Sequence, residues 1–171
     1  IVCVHGFSAS KGELRPLPDR VAASLGANLF FARLTGHAQD GTALANATVK
    51  DWINDFAEAV AIGSRIGERV VVMATSTGGA LATVAAADPA LSANIAGLVL
   101  VSPNYGVRAG GAWLLTQPWG GQLAALVVGR DYTFEPRSEQ HARLWTTHYP
   151  TAALLPMAAL SKAARKSPAE T

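Results

Sequence analysis

The stretch from Val70 to Ala82 constrains the fold more than any other part of the chain, because an apolar run passes directly into a serine among very small residues. Its sequence is VVVMATSTGGALA. The run VVVMAT predicts a buried β-strand, and the segment of small residues after it predicts a helix. Glycines and alanines at such a junction let the two backbones approach closely. The pattern therefore predicts a sharp strand–turn–helix with Ser76 on the turn.

Strand and helix patterns alternate along the first hundred residues. The segments IVCVHG, ANLFFARL, ERVVVMAT and IAGLVLVSP predict four strands. Helical spacing of apolar residues predicts helices over about 14–25 and from Thr48 to Gly63 or Gly67, whereas TGHAQDGTALANAT is typical of a loop. Strands that alternate with helices predict an α/β fold with a parallel sheet covered on both faces.

The pattern changes after Pro103, where the chain becomes rich in glycine and aromatic residues. Helices are predicted around Gly121–Val128, from about Pro136 to Trp145, and from Pro150 onward. We expect Pro156 to kink or split the last of these helices, and no strand is predicted beyond Pro103. The two halves differ enough to predict two parts, a partial α/β core over residues 1–104 and a helical cap-like region over residues 105–171.

Composition excludes several classes of function. The chain has 14 Lys and Arg against 12 Asp and Glu, which argues against nucleic acid as a partner. No apolar run reaches the roughly 18–20 residues of a membrane span. The single cysteine, Cys3, cannot form a disulfide within the chain and is predicted to be a buried structural thiol. We find no phosphate-binding glycine loop and no cluster of metal ligands, so no cofactor and no metal are predicted.

The junction around Ser76 matches the arrangement of a nucleophile elbow, in which a serine is exposed on a tight turn between a strand and a helix. The general pattern is G-x-S-x-G, and here Ala74 stands at the first glycine position. A serine that merely caps the N-terminus of a helix is the alternative. We favour Ser76 as a catalytic nucleophile.

A second motif, His5-Gly6-Phe7, follows the first predicted strand. A loop at this position of such a fold supplies one backbone N–H to an oxyanion hole. We expect the N–H groups of Phe7 and Thr77 to be the two donors, with the dipole of the following helix favouring negative charge there. His5 and Gly6 are expected to organise the loop. His5 is not expected to act as the base, because it precedes the elbow in the chain. An ordinary turn is the alternative.

Taken together, these motifs resemble the α/β-hydrolase superfamily and, within it, the bacterial carboxylesterases and monoacylglycerol lipases. The residues that carry the resemblance are VHGFSAS (4–10), FFARLTGH (30–37), the pair Asp51-Trp52, ATSTGG (74–79) and LVLVSP (98–103). The resemblance covers about residues 1–105, and it implies that residues 105–165 are a helical cap that shapes the substrate pocket. It also implies a catalytic serine at Ser76 and an ester as the small-molecule substrate.

The same resemblance implies a catalytic Asp or Glu and then a His, which follow the nucleophile on loops after two further strands. The chain offers Asp131 with His141 or His148 in that order, but all three lie in cap-like sequence. We therefore expect the acid and the histidine of the triad to lie outside this chain, which looks truncated at both ends and begins with Ile inside a strand-like run. A cytoplasmic location is expected.

Two functions of different classes follow from these expectations. The first is a serine ester hydrolase that acts on small to medium acyl esters through an acyl-enzyme, although residues 1–171 alone would be poorly active without a base. The alternative is a non-catalytic or degenerate hydrolase fragment that acts as a ligand-binding or interaction module. Exposed strand edges leave a homo-oligomer open as a further arrangement.

Overall fold

The computed structural model describes residues 1–106, 115–120, 122, 125, 126 and 129–167. A four-stranded parallel sheet has the order β2-β1-β3-β4. Its strands are β1 (Val2–Val4), β2 (Phe30–Phe31), β3 (Val70–Thr75) and β4 (Ile95–Val101). The predicted parallel α/β fold is therefore confirmed, and the strand that leads to Ser76 lies inside the sheet.

Helices connect and cover these strands. They are α1 (Leu17–Leu25), α2 (Gly41–Asn46), α3 (Val49–Ile66), α4 (Ser76–Ala86), α5 (Pro89–Ser92), α6 (Glu139–Leu144) and α7 (Leu154–Lys166), with a 3-10 turn at Thr151–Ala153 before α7. The helix predicted after Thr48 is confirmed as α3. Thr48 and Asp51 form a reciprocal capping box that satisfies free N–H groups at its start.

The main core lies between the sheet and the helices α3, α4 and α7. Its large members are fully buried, with no exposure to solvent: Trp52 and Phe56 of α3, Leu81 of α4 and Leu160 of α7. Helix α4 packs against both β3 and α7. Because α4 is buried along most of its length, Ser76 stands at the end of a rigid element.

The prediction of no strand beyond Pro103 is wrong. An antiparallel pair is formed by β5 (Asp131–Thr133) and β6 (His148–Pro150), and the rings of Tyr132 and Tyr149 stack across it at 5.5 Å. Each strand has only three residues, too few for an alternating pattern to stand out in the sequence. Helix α6 falls inside the predicted 136–145, and the helix predicted around Gly121–Val128 lies partly outside the described residues.

Two further expectations are corrected. The predicted loop after β2 contains α2, whose first turn is capped by Asp40 through a 2.8 Å bond from the Ala43 N–H. Pro156 does not split α7, because it lies in the first turn, where its missing N–H removes no helical hydrogen bond. The helix begins two residues earlier, at Leu154.

Strand β4 lies at one edge of the sheet and is only partly covered. Its sequence IAGLVLV is apolar throughout, yet all of its side chains are half-buried or exposed, and Val99 is 43% exposed. Cys3 in β1 is a buried free thiol, as predicted, and burial raises its pKa to about 12. Within the described ranges, every helix is too short or too polar to cross a lipid bilayer.

Candidate active site

Ser76 lies on a turn that leads from β3 into α4 without an intervening loop. Its φ is +49°, in the left-handed region that residues with a side chain rarely adopt. Thr75 occupies the capping position before the helix, but its hydroxyl donates to the Val101 carbonyl at 3.0 Å and does not cap. A simple helix cap has extended backbone geometry, so the capping explanation of Ser76 does not fit this turn.

The glycines after Ser76 lie where α4 touches the strands. A Cβ on Gly78 would lie 2.5 Å from the carbonyl oxygen of His5, and a Cβ on Gly79 would lie 2.9 Å from the Cβ of Pro103. Both distances are far shorter than carbon contacts allow. The small residues around the serine are therefore required by close approach of α4 to the ends of β1 and β4.

The peptide between His5 and Gly6 is held from both sides. The His5 carbonyl faces Gly78 on α4, and the Gly6 N–H donates to Oε2 of Glu13 at 2.6 Å. In a planar trans peptide these two groups point in opposite directions, as both contacts require. The backbone N–H of Gly6 is thus already occupied by a carboxyl group.

The next peptide, between Gly6 and Phe7, is fixed through its carbonyl. The Gly6 oxygen accepts from Nδ1 of His5 at 2.9 Å and from the Ala9 N–H at 3.3 Å. The Phe7 N–H, across the same planar peptide, therefore points away from these donors. No hydrogen-bond acceptor for this N–H is found within the described part of the chain.

His5 has both ring nitrogens engaged. Nε2 accepts from the Leu34 N–H at 3.2 Å, so the proton must be on Nδ1, where it is donated to the Gly6 carbonyl. Burial lowers the pKa of His5 and keeps the ring neutral. The ring therefore links two parts of the backbone, at Gly6 and Leu34, and has no free nitrogen with which to take a proton from Ser76.

His37 lies directly behind this loop and is fully buried. Its Nδ1 donates to the Thr35 carbonyl at 3.1 Å, while its Nε2 is a buried acceptor with no partner among the described residues. Burial and the neighbouring His5 ring lower the pKa of His37 to about 3. The edge of the Phe7 ring packs against the face of His37 at 5.9 Å, so His37 supports the loop from inside the protein.

The loop and the elbow meet at Gly6 and Ser76. A Cβ on Gly6 would lie 3.0 Å from the Cβ of Ser76 and 3.0 Å from Oε1 of Glu13. The structure thus brings together Ser76, Thr77 and the loop His5-Gly6-Phe7. Thr77 follows Ser76 in the first turn of α4, where helix N–H groups have no partner within the helix.

The three acid and base candidates within the chain lie on β5, α6 and β6. Asp131 is at the start of β5, and His148 on β6 bonds Thr133 through Nδ1 at 2.8 Å. His141 on α6 accepts the Arg137 N–H and packs against the Trp145 ring at 4.4 Å. Across the described residues, no hydrogen bond joins any of these three to Ser76 or to one another.

The loop is also tied to the region that carries β5 and β6. The Thr146 N–H donates to the Ser8 carbonyl at 2.7 Å, and its hydroxyl donates to the Gln39 carbonyl at 3.1 Å. Beside this contact lies a cleft of about 400 Å³ that is lined by Glu13 and by α6 residues including His141 and Leu144. Glu13 was not singled out in the sequence, since its contact with Gly6 depends on how the loop after β1 turns back.

The described residues contain no group of three or more His, Cys, Asp or Glu side chains that could hold a metal ion. The arrangement around Ser76 instead consists of a strained serine, a helix N-terminus and a backbone loop with an N–H that has no acceptor. A nucleophile and oxyanion donors of this kind are used in nucleophilic catalysis at an acyl group, which also needs a base.

Known structures share this fold. One is a lipolytic enzyme from a metagenome, from work on LipS and LipT, with a TM-score of 0.77 and 21% identity over 96% of this chain and 64% of that one. Another is the monoacylglycerol lipase of Paleococcus ferrophilus, with a TM-score of 0.65 and 17% identity over 97% of this chain and 66% of that one. The chain thus spans less than two thirds of the length of either structure. At these identities the likeness concerns the fold.

No curated protein matches the sequence. The model of the alpha/beta hydrolase family matches residues 1–169, which is nearly the whole chain. The match agrees with the parallel sheet, the turn at Ser76 and the loop after β1. The chain belongs to the alpha/beta hydrolase family.

Proposed function

We propose that the protein is a serine ester hydrolase and that Ser76 is its nucleophile. The observation that carries the proposal is the φ of +49° at Ser76, on a turn packed against the loop after β1. Strained backbone of this kind persists only where the surrounding structure enforces it, and it concentrates at functional sites. The Ser76 oxygen attacks the ester carbonyl carbon, the bond to the alcohol breaks, and water later releases the acid from the acyl-enzyme.

The oxyanion formed in this attack is stabilised by the N–H groups of Phe7 and Thr77. Two observations support this assignment: the Gly6 N–H is already bound to Glu13, and the Gly6 carbonyl is fixed so that the Phe7 N–H points the other way. Thr77 lies at the N-terminus of α4, where the helix dipole favours negative charge. Each such donor is worth about 100-fold or more in kcat.

The acid and the histidine that complete the triad lie outside residues 1–171. This part of the proposal is supported by His141 and His148, whose ring nitrogens bond the Arg137 N–H and the Thr133 hydroxyl and not Ser76. It is also supported by the length of the relatives, of which this chain spans 64% and 66%. In the proposed protein, residues 1–104 form part of the catalytic core and residues 105–171 form the cap.

The proposed substrates are small to medium acyl esters. Two similar folds are described as a lipolytic enzyme and a monoacylglycerol lipase. Phe7, in the loop, is half-buried, and its ring packs edge to face with the buried ring of Tyr149 at 5.4 Å. An apolar side chain beside the proposed oxyanion donor is compatible with an acyl group there.

The test is labelling of the full-length protein with a fluorophosphonate, followed by identification of the modified residue. Ser76 is expected to be labelled, and Ser76→Ala is expected to abolish both labelling and hydrolysis of p-nitrophenyl butyrate. Ser102→Ala is the matched control, because Ser102 also follows a strand and also has a positive φ, +46°. Labelling that persists in Ser76→Ala would overturn the assignment.

The alternative, a non-catalytic relative that binds a ligand or a partner, is favoured by one observation. No Asp, Glu or His of the described residues is hydrogen-bonded to Ser76. The two proposals are distinguished by the intact mass of the protein purified from its native host. A mass well above 17.7 kDa supports the hydrolase, whereas a mass of 17.7 kDa without fluorophosphonate labelling supports the binding protein.

A further inference from the structure

Glu13 is the carboxyl group that the described structure places beside the loop and the elbow together. Its Oε2 accepts the Gly6 N–H at 2.6 Å, and its Oε1 lies 3.0 Å from the Cβ position of Gly6. The Ser76 Cβ lies at the same distance from that position. Oε1 of Glu13 and the Cβ of Ser76 are therefore no farther apart than the sum of these two distances of 3.0 Å.

The bond to Glu13 determines which N–H the loop can present to a substrate. With its N–H held by Glu13 and its carbonyl held by His5, Gly6 has no backbone donor left. The peptide plane on each side of Gly6 is then set, and the next donor along the chain is the Phe7 N–H. A glycine without these bonds has wide conformational freedom, so an untethered loop would sample other orientations.

We propose that Glu13 is a positioning residue of the active site, which holds the Gly6 N–H and thereby presents the Phe7 N–H to the oxyanion. The carboxyl group does this without contact to the reacting atoms. The 2.6 Å bond to the Gly6 N–H is the hydrogen bond that the Glu13 side chain makes among the described residues. Glu13 also lines the cleft of about 400 Å³ beside α6, so the tether lies at the wall of that cleft.

Among the described residues, Glu13 is not part of an ion pair. Arg15, two residues along the chain, is paired with Asp19 at 2.6 Å on the surface. The Glu13 carboxyl thus has the loop backbone as its described partner. Burial raises the pKa of Glu13 and the Gly6 N–H lowers it, which fits a carboxyl that is held between protein and cleft.

The test compares three variants of the full-length protein, with kcat expressed per Ser76 that fluorophosphonate can titrate. Glu13→Ala removes the acceptor and is expected to lower kcat by about 10- to 100-fold, with KM changed by less than about twofold, because the loss affects oxyanion stabilisation. Glu13→Gln keeps an acceptor oxygen in place and is expected to retain at least about a third of the wild-type kcat. Glu13→Asp keeps the charge but shortens the reach, and it is expected to resemble Glu13→Ala.

The role of Glu13 depends on the Ser76 chemistry proposed above, and the two can fail separately. A wild-type protein that neither labels nor hydrolyses esters would overturn the proposed function. A wild-type protein that does both, while Glu13→Ala and Glu13→Asp keep the wild-type kcat per titrated site, would overturn only the positioning role. If Glu13→Ala does not fold, Glu13→Asp against Glu13→Gln provides the same comparison. The positioning role would also be overturned if Glu13→Gln lost as much activity as Glu13→Asp.

Discussion

The α-carbon of Gly6 faces the side chain of Ser76, so that a methyl group on Gly6 would lie 3.0 Å from the Ser76 Cβ. The same methyl group would lie 3.0 Å from Oε1 of Glu13. This contact joins the loop after β1 to the elbow, and it leaves no room for a larger residue at position 6. The geometry of the candidate site can therefore be perturbed by one carbon atom.

Gly6→Ala is expected to lower kcat by about 10-fold or more, because the loop must move away from Ser76 by a few tenths of an ångström. The free energy of unfolding should fall by about 1–3 kcal/mol through overpacking. Gly97→Ala is the control, since a Cβ on Gly97 in β4 meets nothing within 4 Å. Esterase assays and urea unfolding of both variants check this prediction. A Gly6→Ala protein with wild-type kcat would show that the loop is not held against the serine.

Gly78→Ala should destabilise the protein by about 3 kcal/mol or more, because its Cβ would meet the backbone carbonyls of His5 and Val4 at 2.5 and 2.7 Å. Backbone atoms of β1 and α4 cannot move apart as a flexible side chain can. Gly67→Ala, whose Cβ would have ordinary contacts of 3.7 and 3.8 Å, should change stability by less than about 1 kcal/mol. Thermal or urea unfolding measures the stability of both variants. Equal losses in the two variants would contradict the close packing of α4 on β1.

Ser76→Gly is expected to be more stable than Ser76→Ala by about 1 kcal/mol, because only glycine adopts positive φ without steric cost. Both variants lack the hydroxyl and should be inactive, so the difference isolates the strain at φ +49°. Urea unfolding at neutral pH gives the comparison. Equal stability of the two variants would mean that the turn relaxes once the serine is gone.

Acid should destabilise the protein through His37. Its pKa is lowered from 6.5 to about 3 by burial, so below pH 6.5 the unfolded chain binds a proton that the folded protein does not. The stability contributed by the neutral ring is therefore complete above pH 6.5 and is lost as the pH falls towards 3. The expected slope for one such histidine is about 1.4 kcal/mol per pH unit.

The measurement is the urea midpoint of wild type and His37→Asn at intervals between pH 7.5 and 5. The variant is expected to lose stability less steeply with falling pH than wild type, because it lacks the buried ring. His148→Asn, which makes the same substitution at an exposed histidine on β6, is the matched variant. Parallel slopes for wild type and His37→Asn would refute the assignment to His37.

Much of the core could be predicted from local pattern. The run VVVMAT before Ser76 is apolar and β-branched, and the helix from Thr48 begins with a capping sequence, so each element is specified within a short window. The antiparallel pair of β5 and β6 was missed because three residues per strand carry too little periodicity. In such cases the partner strand, which is distant in sequence, determines the structure.

In the candidate site too, features that depend on neighbouring residues could be predicted, and features that depend on distant residues could not. Ser76 and the His5-Gly6-Phe7 loop could be found because their chemistry depends on neighbours along the chain. The contact of Glu13 with Gly6 could not, because it arises from the path of the loop in three dimensions, and a glutamate among polar residues has no distinctive local signal. Asp131, His141 and His148 have the expected order along the chain, but order alone does not predict contact, and the rings of His141 and His148 bond Arg137 and Thr133.

Thr146 donates its N–H to the Ser8 carbonyl and its hydroxyl to the Gln39 carbonyl. Through these two bonds the segment that carries β5 and β6 is attached to two loops of the parallel sheet, the one after β1 and the one after β2. In the proposed hydrolase, a cap exchanged for that of a relative therefore has to supply an equivalent of Thr146, because the exchange otherwise releases the loop that carries the proposed oxyanion donor.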